Sequence, residues 1–265
     1  MIKKILYTLI LMTLFSFNAI SQDYSGEDFR YVENNAFGLG EKLDYKVGYK
    51  FITAGTGSFY IKKKPIEVNG RKAYDVNFYV KSLSSLEWIY KVRDWYKTAL
   101  DIGGIFPWRF EQHIREGKYK RDFEAEFDQK ENVAKTSEGD YEIPEYVHDI
   151  VSALYYVRTW NLDSMSKDSI AYLKNFYKDS TYSLGIKMLG KQTVEVEAGE
   201  FRCHVIEPLV QKGGLFKNEG NIVVWLTADE RKIPVKVATK ILIGYVGAEL
   251  TNYSGIRGPI DAKIE

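Results

Sequence analysis

EKLDYKVGYKF, Glu41 to Phe51, alternates without a break. Leu43, Tyr45, Val47, Tyr49 and Phe51 fall on one side, and Lys42, Asp44, Lys46, Gly48 and Lys50 on the other. A period of two is that of a β-strand, so this stretch reads as part of a sheet with one dry and one wet face. Thr53 to Gly57 is small and Gly-rich, and GSFYIKKKPIEV then continues as strand. Asn69-Gly70 follows, a hairpin turn in which both residues tolerate positive φ. The return strand is AYDVNFYVKS, with Tyr74, Val76, Phe78 and Val80 in register.

The same pattern extends in the C-terminal direction. LEWIYKVRDWYKTALD sets Trp88, Tyr90 and Val92 against Ile89, Lys91 and Arg93. Its aromatic and β-branched content favours strand over the rival reading as helix. Gly103-Gly104 interrupts the chain, and PWRFEQHIREGKYKRDFEAEFD reads as two further long strands, with Tyr119, Arg121, Phe123, Ala125 and Phe127 on one face. One helix stands out, over about 144–159. Pro144 suits the first turn, and Ile143, Val147, Ile150, Val151, Leu154 and Val157 make an apolar stripe at spacings of three and four. Beyond it, Lys178-Asp179-Ser180 and Ala198-Gly199-Glu200 mark two hairpins, and VQKGGLFKNEG reads as a flexible connection between strands. In WLTADERKIPVKV, Trp225 to Val237, two apolar runs flank a charged turn, and Pro234 opens the second run. Proline at a strand's start removes no essential ladder bond, and Asp229 can close the turn through the backbone that follows it. Many short strands and one helix predict a mainly β fold: a curled antiparallel sheet or open β-barrel with the α-helix packed on its concave face.

The chain opens MIKKILYTLILMTLFSFNAISQD. Lys3-Lys4, the apolar stretch Ile5–Phe17 and the small-x-small site Ala19-Ile20-Ser21 predict a secretory signal peptide over 1–21, cut between Ser21 and Gln22. The apolar stretch is shorter than the roughly 18 residues of a spanning helix. No Cys stands at the cut, so the expectation is an exported, periplasmic protein without a lipid anchor. Residues 22–36 read as a flexible leader and 37–265 as a single β domain. Loss of 1–21 removes Lys3 and Lys4, leaving 35 basic and 36 acidic residues, a balance that argues against nucleic acid as a partner. Cys203 is the only cysteine, so no internal disulfide forms.

Catalytic and metal chemistry find little support. His113, His148 and His204 stand far apart with no ligand spacing, so no metal and no cofactor is expected, and each reads as a partly exposed residue. Cys203 and His204 are adjacent on a strand and so point to opposite faces. Asp94 and Asp101 are the one carboxylate pair worth inspecting for acid–base work. The aromatic set Trp88, Tyr90, Trp95, Tyr96, Phe106, Trp108 and Phe110 is the best binding candidate. Of these, Trp88, Tyr90, Trp95, Trp108 and Phe110 are expected to line a cavity inside the curl. In IREGKYKRD, the basic residues Arg115, Lys118, Lys120 and Arg121 form a candidate docking ribbon for an anionic headgroup or an acidic partner, diluted by Glu116, Asp122 and Glu124.

Several ordered segments carry a resemblance: FGLGEKLDYKVGY, AGTGSF, IYKVRDWYKTALD, HIREGKYKRD, VHDIVSALYYVR, EVEAGEFRCHVIEP and WLTADERKIPVKVATKILIGYVGAEL. Over about 37–253 the chain resembles the domain-of-unknown-function family 3108 of exported bacterial proteins, whose members offer no catalytic residues to carry over. The hairpin at 225–237 is in addition similar to one in periplasmic lipoprotein-localisation carriers. That likeness implies a half-barrel whose concave face receives acyl chains under a helical cap. The expected function is therefore a non-enzymatic periplasmic carrier for an apolar or amphiphilic, lipid-like ligand, with transient membrane contact. Two rivals stand behind it. One is an envelope structural or assembly factor that binds another protein, and the other a hydrolase of envelope glycan or lipid.

Overall fold

In the computed structural model, residues 29–49, 52–209, 222–241 and 244–264 are described. The signal-peptide reading, residues 22–28 of the leader, and the Gly213-Gly214 connection lie outside them. From Tyr31 onward the described residues form one unit. Its strands are β1 Lys42–Tyr49, β2 Ile52–Ile61, β3 Ile66–Val68, β4 Arg71–Ser82, β5 Arg93–Asp101, β6 Pro107–Glu116, β7 Tyr119–Asp128, β8 Val133–Thr136 and β9 Gly139–Glu142. A helix, α1 Ile150–Arg158, follows. The second half contains β10 Ile170–Tyr177, β11 Ser180–Val196, β12 Gly199–Leu209, β13 Ile222–Thr227, β14 Pro234–Ile241, β15 Gly244–Ser254 and β16 Lys263–Ile264.

These strands make one antiparallel sheet in the order β10-β11-β12-β13-β14-β15-β1-β2-β4-β5-β6-β7-β8-β9, with β3 beside β4 and β16 beside β12. Each half is a meander, and the pairing of β1 with β15 joins them. The sheet is open, with β9 and β10 as its edges. The chain between them narrows the gap. His148 forms a parallel bridge with Asn175, its N–H donating to the Lys174 carbonyl at 2.9 Å and its carbonyl accepting from the Phe176 N–H at 2.8 Å.

Glycine makes the tight curl at the seam. Gly48 of β1 stands opposite Gly247 of β15, beside a register shift between Val47 and Gly48. A Cβ on Gly48 would fall 2.4 Å from the Ile52 carbonyl oxygen, and one on Gly247 2.6 Å from that of Val237. Strands can approach this closely only where no side chain intervenes, and such positions are where sheets bend.

Most of the hairpins fall where the sequence puts them. Asn69 and Gly70 both take positive φ, 51° and 75°, between β3 and β4. Lys178-Asp179 join β10 to β11, and the β11–β12 turn sits at Glu197-Ala198, one residue earlier than expected. Asp229 closes the β13–β14 turn. One of its carboxylate oxygens accepts from the Thr227 hydroxyl at 2.8 Å and the Arg231 N–H at 2.9 Å, and the other from the Ala262 N–H at 3.0 Å. Pro234 is the first residue of β14.

Three expectations need correction. The helix begins at Ile150, not Pro144. Tyr146 takes a left-handed φ of 55°, and Val147–Asp149 is drawn out to pair with β10, so helical geometry starts only after Asp149. There Asp149 caps the helix, accepting from the N–H groups of Val151 at 2.7 Å and Ser152 at 2.9 Å. The strand expected from Leu86 begins only at Arg93. The preceding residues fold back on themselves, with Leu86 N–H bonded to Leu83 O and Tyr90 N–H to Leu86 O. The second half of the leader is packed. Asn34 and Ala36 are buried, and the Asn34 carboxamide oxygen accepts from the N–H groups of Ala36 and Phe37.

Candidate binding cavity

Helix α1 lies inside the curl, and its two sides serve two cores. Val151 and Tyr155 pack with Tyr74, Val76, Leu100 and Phe110 of the first meander. Ala153 and Val157 pack with Leu173, Ile186, Ile206 and Leu226 of the second. Its C-terminal end is pinned by Arg158, which forms a two-bonded pair with Glu41 and donates to the Arg231 and Ala36 carbonyls.

Between helix and sheet is a cavity of about 750 Å³. The helix lines it with Ile150, Val151, Ala153, Leu154 and Val157. Phe59, Phe78, Leu184, Ile206 and Val237 are among the residues of the concave face that complete it. A volume in this range suits a drug-sized or single-chain amphiphilic ligand. Among the described residues, polar lining is confined to Glu116, Asn175, Tyr45, Tyr96, Tyr177 and Tyr182. Burial pushes the Tyr182 hydroxyl up to about 12 and raises that of Tyr96, so these tyrosines act as neutral hydrogen-bonding groups.

The expected cavity residues lie elsewhere. Trp88 is 83% exposed and Tyr90 53% exposed, on the loop before β5, because that loop turns away from the sheet. Trp95 is on the outer face, stacked between Tyr79 and His113, with its indole N–H donating to Asn77. Trp108 is buried, its indole N–H donating to Asp101 at 3.1 Å. Phe110 belongs to the core between Tyr96 and Phe123, and Phe106 packs on Trp108. From the aromatic set only Tyr96 lines the cavity. Asp94 and Asp101 are not a pair either. Asp101 is fully taken by the Arg71 guanidinium, Trp108 and the N–H groups of Gly103 and Gly104. Asp94 instead accepts from the Arg115 N–H at 2.8 Å and helps to raise the Glu116 carboxyl above its ordinary value.

The basic ribbon is divided in the same way. Arg115 is bound by both oxygens of Asp122, at 2.8 and 2.9 Å, and Arg121 by Glu138 at 3.1 Å. His113 and Arg115 hold the Asp122 carboxyl below its ordinary value. Lys118 and Lys120 are exposed. His148 and His204 are buried rather than partly exposed, and His113 is half-buried. No metal-ligating cluster occurs among the described residues. Cys203 is a buried apolar side chain whose thiol is pushed up to about 12 by burial and by Asp229.

Residues 44–251 match the family described as "Protein of unknown function (DUF3108)". The chain belongs to the DUF3108 family. No curated protein matches it. Among solved structures, a β-barrel-like protein of the domain of unknown function DUF1849 from Brucella abortus is similar, at 10% identity and a TM-score of 0.55. That match covers 83% of this chain and 99% of the other. A hypothetical protein from Chlamydia trachomatis aligns with a TM-score of 0.37 at 8% identity, covering 86% of this chain and 92% of its own. A protein of YmcC-like fold from Bacteroides fragilis aligns with the same score at 9% identity, covering 84% of this chain and 99% of its own. For this DUF3108 chain the Brucella protein supports the β-barrel-like fold alone. No helix among the described residues is long and apolar enough to cross a membrane.

The cavity was half legible. The alternating face of β1 with Tyr45 and Val47, and the helical stripe of Ile150, Leu154 and Val157, were both visible as patterns and both line it. Asn175 and Glu116 carry no local signal. Only the fold brings β10 and β6 to one cavity.

Proposed function

We propose that this DUF3108 protein is a non-enzymatic carrier for an apolar or amphiphilic, lipid-like ligand held between α1 and the concave face. The observation that carries the reading is the roughly 750 Å³ cavity, whose lining includes a single carboxyl side chain and is otherwise aliphatic, aromatic or neutral. No serine, cysteine or histidine is among the described lining residues, which supports binding over hydrolysis. The carrier works after export to the periplasm, as its N-terminal segment suggests.

The same reading assigns a membrane surface as the loading partner. Glu116, Tyr177, Pro208 and Ile222 line the cavity at strand termini where the β6–β7 and β10–β11 turns also lie. Trp88, Ile89 and Tyr90 stand exposed on the neighbouring loop, which is tied to the β6–β7 turn by a 2.8 Å bond from the Gly117 N–H to the Lys91 carbonyl. Exposed Trp and Tyr beside Lys91, Lys118 and Lys120 suit an anionic lipid interface.

The test is native mass spectrometry, with solvent extraction, of protein purified from its own cells without detergent. A co-purifying lipid of defined mass is the expected result. An empty cavity in a protein that instead holds one stoichiometric protein partner would favour the assembly-factor reading.

A further inference from the structure

The polar groups of the cavity share one chemical bias. Asn175 is 2% exposed, and its carboxamide nitrogen donates to the Phe176 carbonyl at 3.2 Å and to the Tyr182 hydroxyl at 3.0 Å. The carbonyl contact fixes which end of the amide is the donor. Its oxygen is left as a buried acceptor with no hydrogen-bond partner. A buried acceptor in that condition is costly unless a donor is supplied to it.

Glu116 supplies the second acceptor group. It is half-buried and lines the same cavity, with the Asp94 carboxyl close enough to act on it. Burial and then the neighbouring Asp94 carboxyl raise its carboxyl above the ordinary value, so further negative charge is disfavoured at this place. No Lys or Arg is among the described lining residues. Arg121, whose charge reaches Tyr177, is taken by Glu138 at 3.1 and 3.3 Å. Tyr96, Tyr177 and Tyr182 line the same cavity. Tyr96 lies within electrostatic reach of Asp94, Glu116 and Tyr177, and Tyr177 within reach of Tyr182.

We infer that the cavity selects amphiphiles whose polar head donates hydrogen bonds and carries no negative charge, with that head at Glu116 and Asn175 and the alkyl tail along Ile150, Leu154 and Val157 of α1. The class comprises long-chain amines, alcohols and amides. It excludes free fatty acids and alkyl phosphates, whose heads are acceptors and anions and would meet Glu116 and Asp94. This assignment rests on the carrier reading above.

Displacement of the neutral apolar dye N-phenyl-1-naphthylamine from the purified protein, at neutral pH, tests it. The competitors share one tail: hexadecylamine, hexadecanol, hexadecanoate and hexadecyl phosphate. The amine or the alcohol should displace dye at concentrations at least about tenfold lower than the two anions, equivalent to one hydrogen-bonded or charge-opposed contact. Glu116→Gln, which keeps shape and removes charge, should bring the acid to within about threefold of the alcohol. Asn175→Leu should weaken amine and alcohol together while leaving the acid unchanged. Equal displacement by all four, or tightest binding of an anion, overturns the head-group assignment and leaves the carrier intact. Dye that does not bind, or that no competitor displaces, overturns the carrier reading itself.

Discussion

Arg158, the last residue of α1, and Glu41, the residue before β1, form a fully buried ion pair across 117 positions of sequence. The two bonds measure 2.6 and 2.8 Å, and the side chains are 0% and 1% exposed. The guanidinium also lies over the rings of Phe37 and Tyr155, 5.2 and 5.1 Å from their centroids. Its bond to the Arg231 carbonyl reaches the β13–β14 turn. One side chain thus ties the helix to the start of the first meander and to the second, and so sets the roof of the cavity.

Removing either partner leaves a bare charge in the interior. Arg158→Met or Glu41→Gln should therefore each cost about 3–5 kcal/mol of folding stability, read by urea denaturation. The double change Arg158→Met with Glu41→Met should recover much of that loss, because no uncompensated charge remains. Additive losses in the double variant would show that the pair acts through shape and not charge.

What could and could not be read from sequence follows from range. The period of two around Tyr45, and the turns at Asn69-Gly70 and Asp229, are local signals that tertiary contacts do not override. The start of α1 failed because Pro144 and the stripe through Val147 fit a helix as well as they fit an extended run. Pairing of His148 with Asn175 in β10 decides between them, and that partner is distant in sequence. Trp88 and Tyr90 failed as cavity residues because alternation persists in a loop whose backbone turns away. Trp108 and Phe110 show the opposite limit, since a core position and a cavity wall have the same composition. Glu41 and Arg158 are ordinary surface residue types, and only the closed fold makes them a pair.

Asp149 gives a pH-dependent prediction. Burial raises its carboxyl above the ordinary value, and hydrogen bonds from Ser152, Thr98 and Val151 oppose the shift only in part. A folded-state pKa above the unfolded one means stability that is full below the unfolded value and lost as pH rises through the folded value. Asp149→Asn keeps the cap without the charge, so the stability of wild type relative to this variant should fall as pH rises through the carboxylate range. Asp149→Ala should in addition lose the cap and so lie about 1–2 kcal/mol below Asp149→Asn at all pH values. Thermal melts of the three proteins across pH check both statements.

Gly48 should be intolerant of any side chain. With a Cβ 2.4 Å from the Ile52 carbonyl oxygen, backbone rather than a flexible side chain must give way. Gly48→Ala is expected to destabilise by about 1–3 kcal/mol, comparable to overpacking a core. Gly70→Ala, with nothing within 4 Å of the added carbon, should show only the smaller strain of positive φ. Denaturant midpoints of the two variants, compared with wild type, make the distinction.

Trp88 should report membrane contact. Its emission is expected to shift to the blue with vesicles containing anionic lipid and to stay unchanged with purely zwitterionic ones. A Trp88→Phe, Trp95→Phe pair of single variants separates the source, since Trp95 is stacked between Tyr79 and His113 and should contribute no shift. Replacing Lys118 and Lys120 by Gln should weaken vesicle binding by about 1 kcal/mol per lysine. A vesicle response that survives loss of Trp88 would place the contact elsewhere on the protein.

Leu154 offers a test of the cavity that leaves the fold alone. It is half-buried on α1 and faces the cavity rather than the packed cores. Leu154→Trp adds bulk into space already present, so overpacking strain should be small and stability should stay within about 1.5 kcal/mol of wild type. Occupied space is denied to a ligand, however, and dye binding and co-purified lipid should both be lost. Trp108→Ala should do the reverse. It truncates a buried side chain bonded to Asp101 at 3.1 Å and should cost about 3–5 kcal/mol, yet the folded fraction should bind ligand as wild type does. Loss of binding in Trp108→Ala with retention in Leu154→Trp would move the site away from the helix.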